Sequence, residues 1–167
     1  TRVIQLYNSN GYRVAAGTED GFAPGQRTPR SSTVRGDAGI AASREFEPAQ
    51  YTAGATVDVS VVIDGAADDI TALSVFENIP AGWQFEGVVG GAPPEIAPAT
   101  GAEDTLGFAW ISTPAFPVVL TYRLATPHDA EDVQTFDGEI RFRTNAGETT
   151  AGIGGAETVT AASDGPA

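Results

Sequence analysis

The side chains able to carry chemistry are few in this chain of 167 residues. It has no cysteine and no lysine, its nine basic residues are all arginine, and His128 is the single histidine. Without a thiol there is no zinc–thiolate site, iron–sulfur cluster, disulfide or cysteine nucleophile. Without an amine side chain there is no Schiff-base enzyme, pyridoxal enzyme or P-loop lysine. One imidazole, in the turn-like Thr126-Pro127-His128-Asp129, cannot make a multi-histidine metal centre. Acids number 22, and two loops concentrate them: Asp64-Gly65-Ala66-Ala67-Asp68-Asp69 and Glu103-Asp104. Neither has EF-hand or nonapeptide spacing, and calcium needs several oxygens converging on one point, so solvated loop acids are the expectation. With so many acids some carboxylates must lie close together, which by itself does not mark a glycosidase. No Gly-x-Ser-x-Gly or His-Glu-x-x-His sequence occurs. The residues therefore point away from an enzyme, and neither cofactor nor metal is expected. Trp83 and Trp110 remain, either as a platform stacking on the rings of a polysaccharide or as core. Trp110 alternates in phase with Leu106 and Phe108, which favours the core.

The formal net charge is −13. Nucleic acids and anionic membranes need a positive footprint, so neither is expected as a partner. No apolar run approaches the roughly 18 residues of a membrane-inserted helix. The charge is unevenly spread. Residues 1–45 carry a net +2 and residues 46–167 a net −15. A basic arm beside an acidic body invites docking, either onto its own body or onto a neighbour.

The elements that must position these residues read as strands. Val3–Tyr7 and Tyr12–Ala16 flank Asn8-Ser9-Asn10-Gly11, a hairpin signature. The first run is apolar on both faces, with Val3 and Tyr7 on one and Ile4 and Leu6 on the other, and so needs cover on both sides. Residues 17–39 are rich in Gly, Pro, Ser, Thr and Arg and read as an extended arm carrying Arg27, Arg30 and Arg35. From residue 40 period-2 alternation recurs. Strands are expected over 40–46, 56–63, 71–76, 83–89, 105–111, 118–124, 136–142 and, weakly, 156–160. No segment has a helical period. Strands at such spacing with Gly/Pro turns imply an all-β, immunoglobulin-like antiparallel β-sandwich with an N-terminal extension. The expected organisation is 1–39 strand and arm, 40–160 sandwich, and 161–167 tail.

The middle of the chain carries a more specific pattern. Tyr51-Thr52-Ala53-Gly54-Ala55-Thr56-Val57 is followed by Glu77-Asn78-Ile79-Pro80-Ala81-Gly82-Trp83, then Phe108-Ala109-Trp110, Leu120-Thr121-Tyr122-Arg123, Phe136-Asp137-Gly138 and Ile153-Gly154-Gly155. Over residues 40–160 this resembles the immunoglobulin-like repeat modules of bacterial secreted and cell-surface proteins. The resemblance implies the fold and export, and modules of this kind serve as spacers, adhesins and packing units. A start at Thr1 fits a removed signal peptide, or equally a boundary chosen within a longer chain.

Residues 1–39 fall outside the resemblance and are the most informative part. An apolar strand at the extreme N-terminus, on an arm of more than 20 residues, can reach about 70 Å at about 3.3 Å per residue. Strand addition to another chain supplies backbone hydrogen bonds and side-chain pockets. In this feature the chain looks like a donor-strand pilin. Val3, Ile4, Leu6 and Tyr7 are the candidate donor-strand residues, and Arg27, Arg30 and Arg35 would lie along a neighbour. The alternative is a hairpin closed within the chain. The expected function is a subunit of an extracellular filament, joined head to tail with copies of itself. The alternatives are a passive spacer or a carbohydrate-binding adhesive module.

Overall fold

The structure is a computed structural model that describes residues 3–7, 13–18, 34–35, 39–65 and 69–163. The chain divides into two compact units, residues 1–31 and 32–167. In the first, β1 (Val3–Tyr7) runs antiparallel to β2 (Arg13–Thr18), Ile4 opposite Gly17 and Leu6 opposite Ala15. These two strands make a sheet of their own. The expected hairpin is present, and its Asn-Gly turn lies outside the described residues.

The second unit contains twelve strands and no helix among the described residues. They are β3 (Val34–Arg35), β4 (Ala41–Glu47), β5 (Gln50–Tyr51), β6 (Thr56–Asp64), β7 (Ala72–Asn78), β8 (Gln84–Gly91), β9 (Thr105–Trp110), β10 (Val118–Ala125), β11 (Val133–Thr135), β12 (Asp137–Thr144), β13 (Gly147–Gly155) and β14 (Thr158–Ala161). The long strands form one hydrogen-bonded path, β8-β10-β6-β4-β13-β12-β7-β9, with β3 on β4. A small sheet, β11-β14-β5, lies off it.

Alternation sets which residues face inward. Val57, Val59, Val61 and Ile63 of β6, Leu73 and Val75 of β7, Leu106, Phe108 and Trp110 of β9, and Val118, Leu120, Tyr122 and Leu124 of β10 are all buried. β8 and β9 are the ends of the path, yet their inner side chains meet. Phe108 packs on Phe85 of β8 at 5.7 Å between ring centroids and on Tyr122 of β10 at 5.2 Å. The path therefore folds back on itself around one core. Residues 92–104 cross between these two ends. Ile96 exchanges both backbone hydrogen bonds with Ala109 of β9 (3.1 and 2.9 Å), and Gly101 and Ala102 bond Phe85 of β8 (2.7 and 2.9 Å).

The opposite turn of the path is made by β13, which the sequence reading passed over. Its first part, Gly147–Gly152, pairs antiparallel with β12, and Ile153–Gly155 pairs parallel with β4. At that crossing Gly155 holds φ of 82° with the backbone of Arg44 against it: a Cβ would stand 2.5 Å from Arg44 O. Only glycine fits both the left-handed conformation and the close approach.

Candidate functional site

The expected donor-strand residues Val3, Ile4, Leu6 and Tyr7 all lie on β1, with β2 as their pairing partner. Arg35 lies on β3, opposite Ala41. Arg27 and Arg30 lie outside the described residues.

The two tryptophans lie in the core. Trp83 is 0% exposed, edge-on to Tyr51 at 5.2 Å and to Phe136 at 5.5 Å. Trp110 is 2% exposed, and its indole N–H donates to Ala92 O at 3.2 Å. Neither indole offers a face to solvent, so the structure removes the sugar-stacking role that their residue type allowed. The cause is local for Trp83. Its N–H closes a turn onto Pro80 O at 3.2 Å, and that turn delivers the ring into the core. In the acidic loops, Asp64 accepts from the Gly65 N–H at 2.8 Å and Glu103 from Gln84 Nε2 at 2.7 Å, while residues 66–68 lie outside the described residues. No three His, Asp or Glu side chains converge as metal ligands among the described residues.

The most distinctive polar feature is one that the sequence reading missed. Arg44 of β4 and Glu77 of β7 form an ion pair with both side chains fully buried. The guanidinium binds in a fork: Nε donates to Glu77 Oε1 at 3.1 Å and Nη2 to Oε2 at 2.6 Å. Its Nη1 donates to Ala156 O at 3.0 Å, and its carbon lies 5.8 Å from the centroid of the Phe136 ring. Planar bidentate pairing satisfies both charges at once, which is the condition for burying them. β4 and β7 are not neighbours in the strand path. The pair thus ties together strands that backbone bonding leaves apart, beside the β13 crossing.

A signal for it existed. Glu77 continues the inward phase of Leu73 and Val75, and Arg44 continues that of Ile40 and Ala42. A charge of each sign at an inward position asks for the other. The basic excess assigned above to residues 1–45 counted Arg44, whose charge is answered inside the core.

Burial pushes the Glu77 carboxyl up, to about 7, against the opposing pull of Arg44, with the Asp137 charge adding a smaller upward push. Folded Glu77 therefore holds its proton at pH values where the unfolded chain, near 4.5, has lost it. The stability linked to this group is fully present below about pH 4.5 and is lost as pH rises through about 7. We expect the unfolding free energy to fall from pH 5 to pH 8 by up to about 3 kcal/mol more in the natural chain than in Glu77→Gln. Equal pH slopes for the two in urea titrations would show that the carboxyl titrates as if exposed. Tyr122, also buried, finds no hydrogen-bond partner for its hydroxyl among the described residues, and burial together with the Glu77 charge raises its pKa well above the ordinary value.

Gly138 gives the carboxylate its room. A Cβ there would stand 2.7 Å from Glu77 Oε2 and 2.9 Å from Phe76 O. Gly138→Ala is expected to cost about 1–3 kcal/mol by overpacking, read as a lower denaturant midpoint. An unchanged midpoint would mean that the pair shifts freely.

Chemically the pair is closed. A carboxyl with a raised pKa suits proton transfer, but both Glu77 oxygens are bonded to Arg44 and no surface reaches them. The outer face of β7 and β12 carries a shallow concavity of about 440 Å³ lined by Phe76, Asn78, Thr105, Asp137 and Arg141 among others. There Arg141 lies 4.5 Å over the Phe76 ring and bonds Glu139 at 2.6 Å, so its polar groups are turned on one another.

No known protein family matches the chain, and no curated protein matches it. Among solved structures it is similar to a non-cellulosomal cohesin from the hyperthermophilic archaeon Archaeoglobus fulgidus, at 10% sequence identity and a TM-score of 0.47, over 74% of this chain and 93% of that one.

Proposed function

We propose that this chain is a non-catalytic structural subunit of a cell-surface filament. Its body would be an immunoglobulin-like sandwich, and its N-terminal strand would exchange head to tail between copies. The observation that carries this reading, among the described residues, is the two-stranded antiparallel sheet of β1 and β2 within the unit of residues 1–31. A lone two-stranded hairpin is marginal in water and needs a surface to cover it. Charge supports the same reading. Residues 1–18 contain Arg2 and Arg13 and no acid, whereas residues 46–167 carry a net −15. A head-to-tail contact that does not close on itself grows without limit. Disulfide and lysine isopeptide linkage are excluded by composition. Location at the cell surface belongs to the proposal and follows from the resemblance in residues 40–160.

The test is electron microscopy and sizing of the full chain beside a chain lacking residues 1–18. Fibres from the first and monomers from the second are expected. A full chain that stays monomeric at high concentration, or a truncated one that still forms fibres, would overturn the reading.

A further inference from the structure

Four large hydrophobic side chains stand exposed among the described residues: Val89 at 45%, Ile96 at 54%, Ile111 at 71% and Val133 at 54%. The first three come from two stretches almost without charge. Residues 87–102 contain one acid, Glu95, and residues 105–122 contain no charged side chain, in a chain with 22 acids and nine arginines. The fold brings the two stretches together. Ile96 pairs with Ala109 of β9. Trp110 Nε1 donates to Ala92 O at 3.2 Å, and the Ile111 N–H donates to a Glu95 carboxylate oxygen at 3.1 Å.

Alternation along β9 turns Leu106, Phe108 and Trp110 into the core, so Ala109 and Ile111 point outward. In the antiparallel pairing of Ile96 with Ala109, Ile111 is the diagonal neighbour of Ile96, within reach of a long side chain. The result is an apolar patch of Ile96, Ala109 and Ile111, with Pro94 and Pro98 on either side of Ile96 in the sequence. Exposed apolar surface with few charges marks contact with another molecule. The prolines lack N–H groups, so the patch suits side-chain docking and not the addition of a strand.

We propose that this patch is a contact surface between two copies of the chain, the patch of one copy meeting the same patch of the other about a two-fold axis. Charge selects the occupant. Each copy carries a net −13, and like charges set face to face repel. A patch with a single charge is a surface on which two such bodies can meet, and a surface that meets itself needs no second, complementary one. A basic partner would instead be drawn to the acidic loops. Two isoleucines and an alanine fall short of the roughly 800 Å² per partner of a standard interface, so one contact is weak and leaves the chain monomeric at micromolar concentration. Repeated along a filament, it would act many times over and bind filaments side by side. The contact goes beyond strand exchange and does not depend on it.

The chain has no cysteine of its own, so one introduced thiol reports a single position. In the full chain, Ile111→Cys should form disulfide-linked pairs under a mild oxidant at least tenfold faster than Val133→Cys, whose position is also exposed but lies on β11 of the small sheet. Adding Ile96→Asp to Ile111→Cys should slow pairing at least tenfold, with the fold intact by circular dichroism. Glu95→Gln keeps an acceptor for the Ile111 N–H and removes the one charge, so it should speed pairing. Salt should speed it too, because it screens the repulsion between the bodies, whereas a contact held by ion pairs would weaken. Equal rates for Ile111→Cys and Val133→Cys, or a rate unmoved by Ile96→Asp, would overturn the proposal. Electron microscopy of the same samples reads the filament separately. Preferential pairing at Ile111 without fibres upholds this contact while the filament reading fails. Fibres without preferential pairing overturn the contact and leave the filament reading standing.

Discussion

At pH 8, Arg44→Met alone or Glu77→Leu alone should lower the unfolding free energy by about 3–5 kcal/mol. The single variants each leave one buried group without its counter-charge: Glu77 loses two hydrogen bonds from the guanidinium, or Arg44 loses both carboxylate oxygens and keeps only Ala156 O. Replacing both, as Arg44→Met with Glu77→Leu, removes the stranded charge and should recover most of the loss, because apolar side chains of similar volume often match or exceed a buried pair in stability. The double-mutant cycle should therefore show a coupling of several kcal/mol. Urea titrations of the four chains check it. A loss under about 1 kcal/mol for both single variants would mean that water reaches the pair and that it behaves as a surface bridge. The cycle also separates stability from specificity. If the apolar pair is as stable but its amide exchange is uniformly faster, the ion pair serves to fix the relation between β4 and β7.

Trp83→Ala should cost about 3–5 kcal/mol, the range for deleting a large aromatic from a core. Trp83 joins segments that lie far apart in sequence. Tyr51 of β5 meets its ring on one side and Phe136, ahead of β12, on another, and Phe136 in turn packs on Phe46 of β4 at 4.8 Å. Removing the indole leaves a cavity lined by rings that cannot all collapse into it, so both the transfer and the cavity contributions are lost. Trp83→Phe should retain more than half of the difference. A cost below about 1 kcal/mol for Trp83→Ala would show that the cluster is not a shared part of the core. The same measurement bears on carbohydrate binding. Weakened binding to polysaccharide in Trp83→Ala without loss of stability would require a ring face that the structure places inside.

Much of the strand content could be read from alternation. The expected runs at 56–63, 105–111 and 118–124 correspond to β6, β9 and β10 within one residue at either end. Period 2 gave the inward faces correctly, because burial on one side of a strand selects every second residue for hydrophobicity. It failed where the inward residues are small or the strand is brief. β13 reads Gly-Glu-Thr-Thr-Ala-Gly-Ile-Gly-Gly. Its buried positions include Ala151 and Gly154, too little hydrophobic contrast to mark a period. β5 and β11, of two and three residues, are too short to have one. The buried charges were legible in the same alternation but went unread, because arginine and glutamate are almost never buried unless paired, and the pairing lies 33 residues apart.

By itself, then, the sequence determined that the described residues are all-β, which side of each long strand faces the core, that an apolar strand stands near the N-terminus, and that cysteine and lysine side chains are absent. Those properties are local: each depends on residue type and on spacings of a few positions. The tertiary structure alone decided that β13 changes partners from β12 to β4, that Arg44 meets Glu77, and that Trp83 meets Phe136. Each of these depends on which strands lie side by side. Periodicity is the same for a strand whichever neighbour it pairs with, so adjacency is settled only by how the whole set of faces packs around one core.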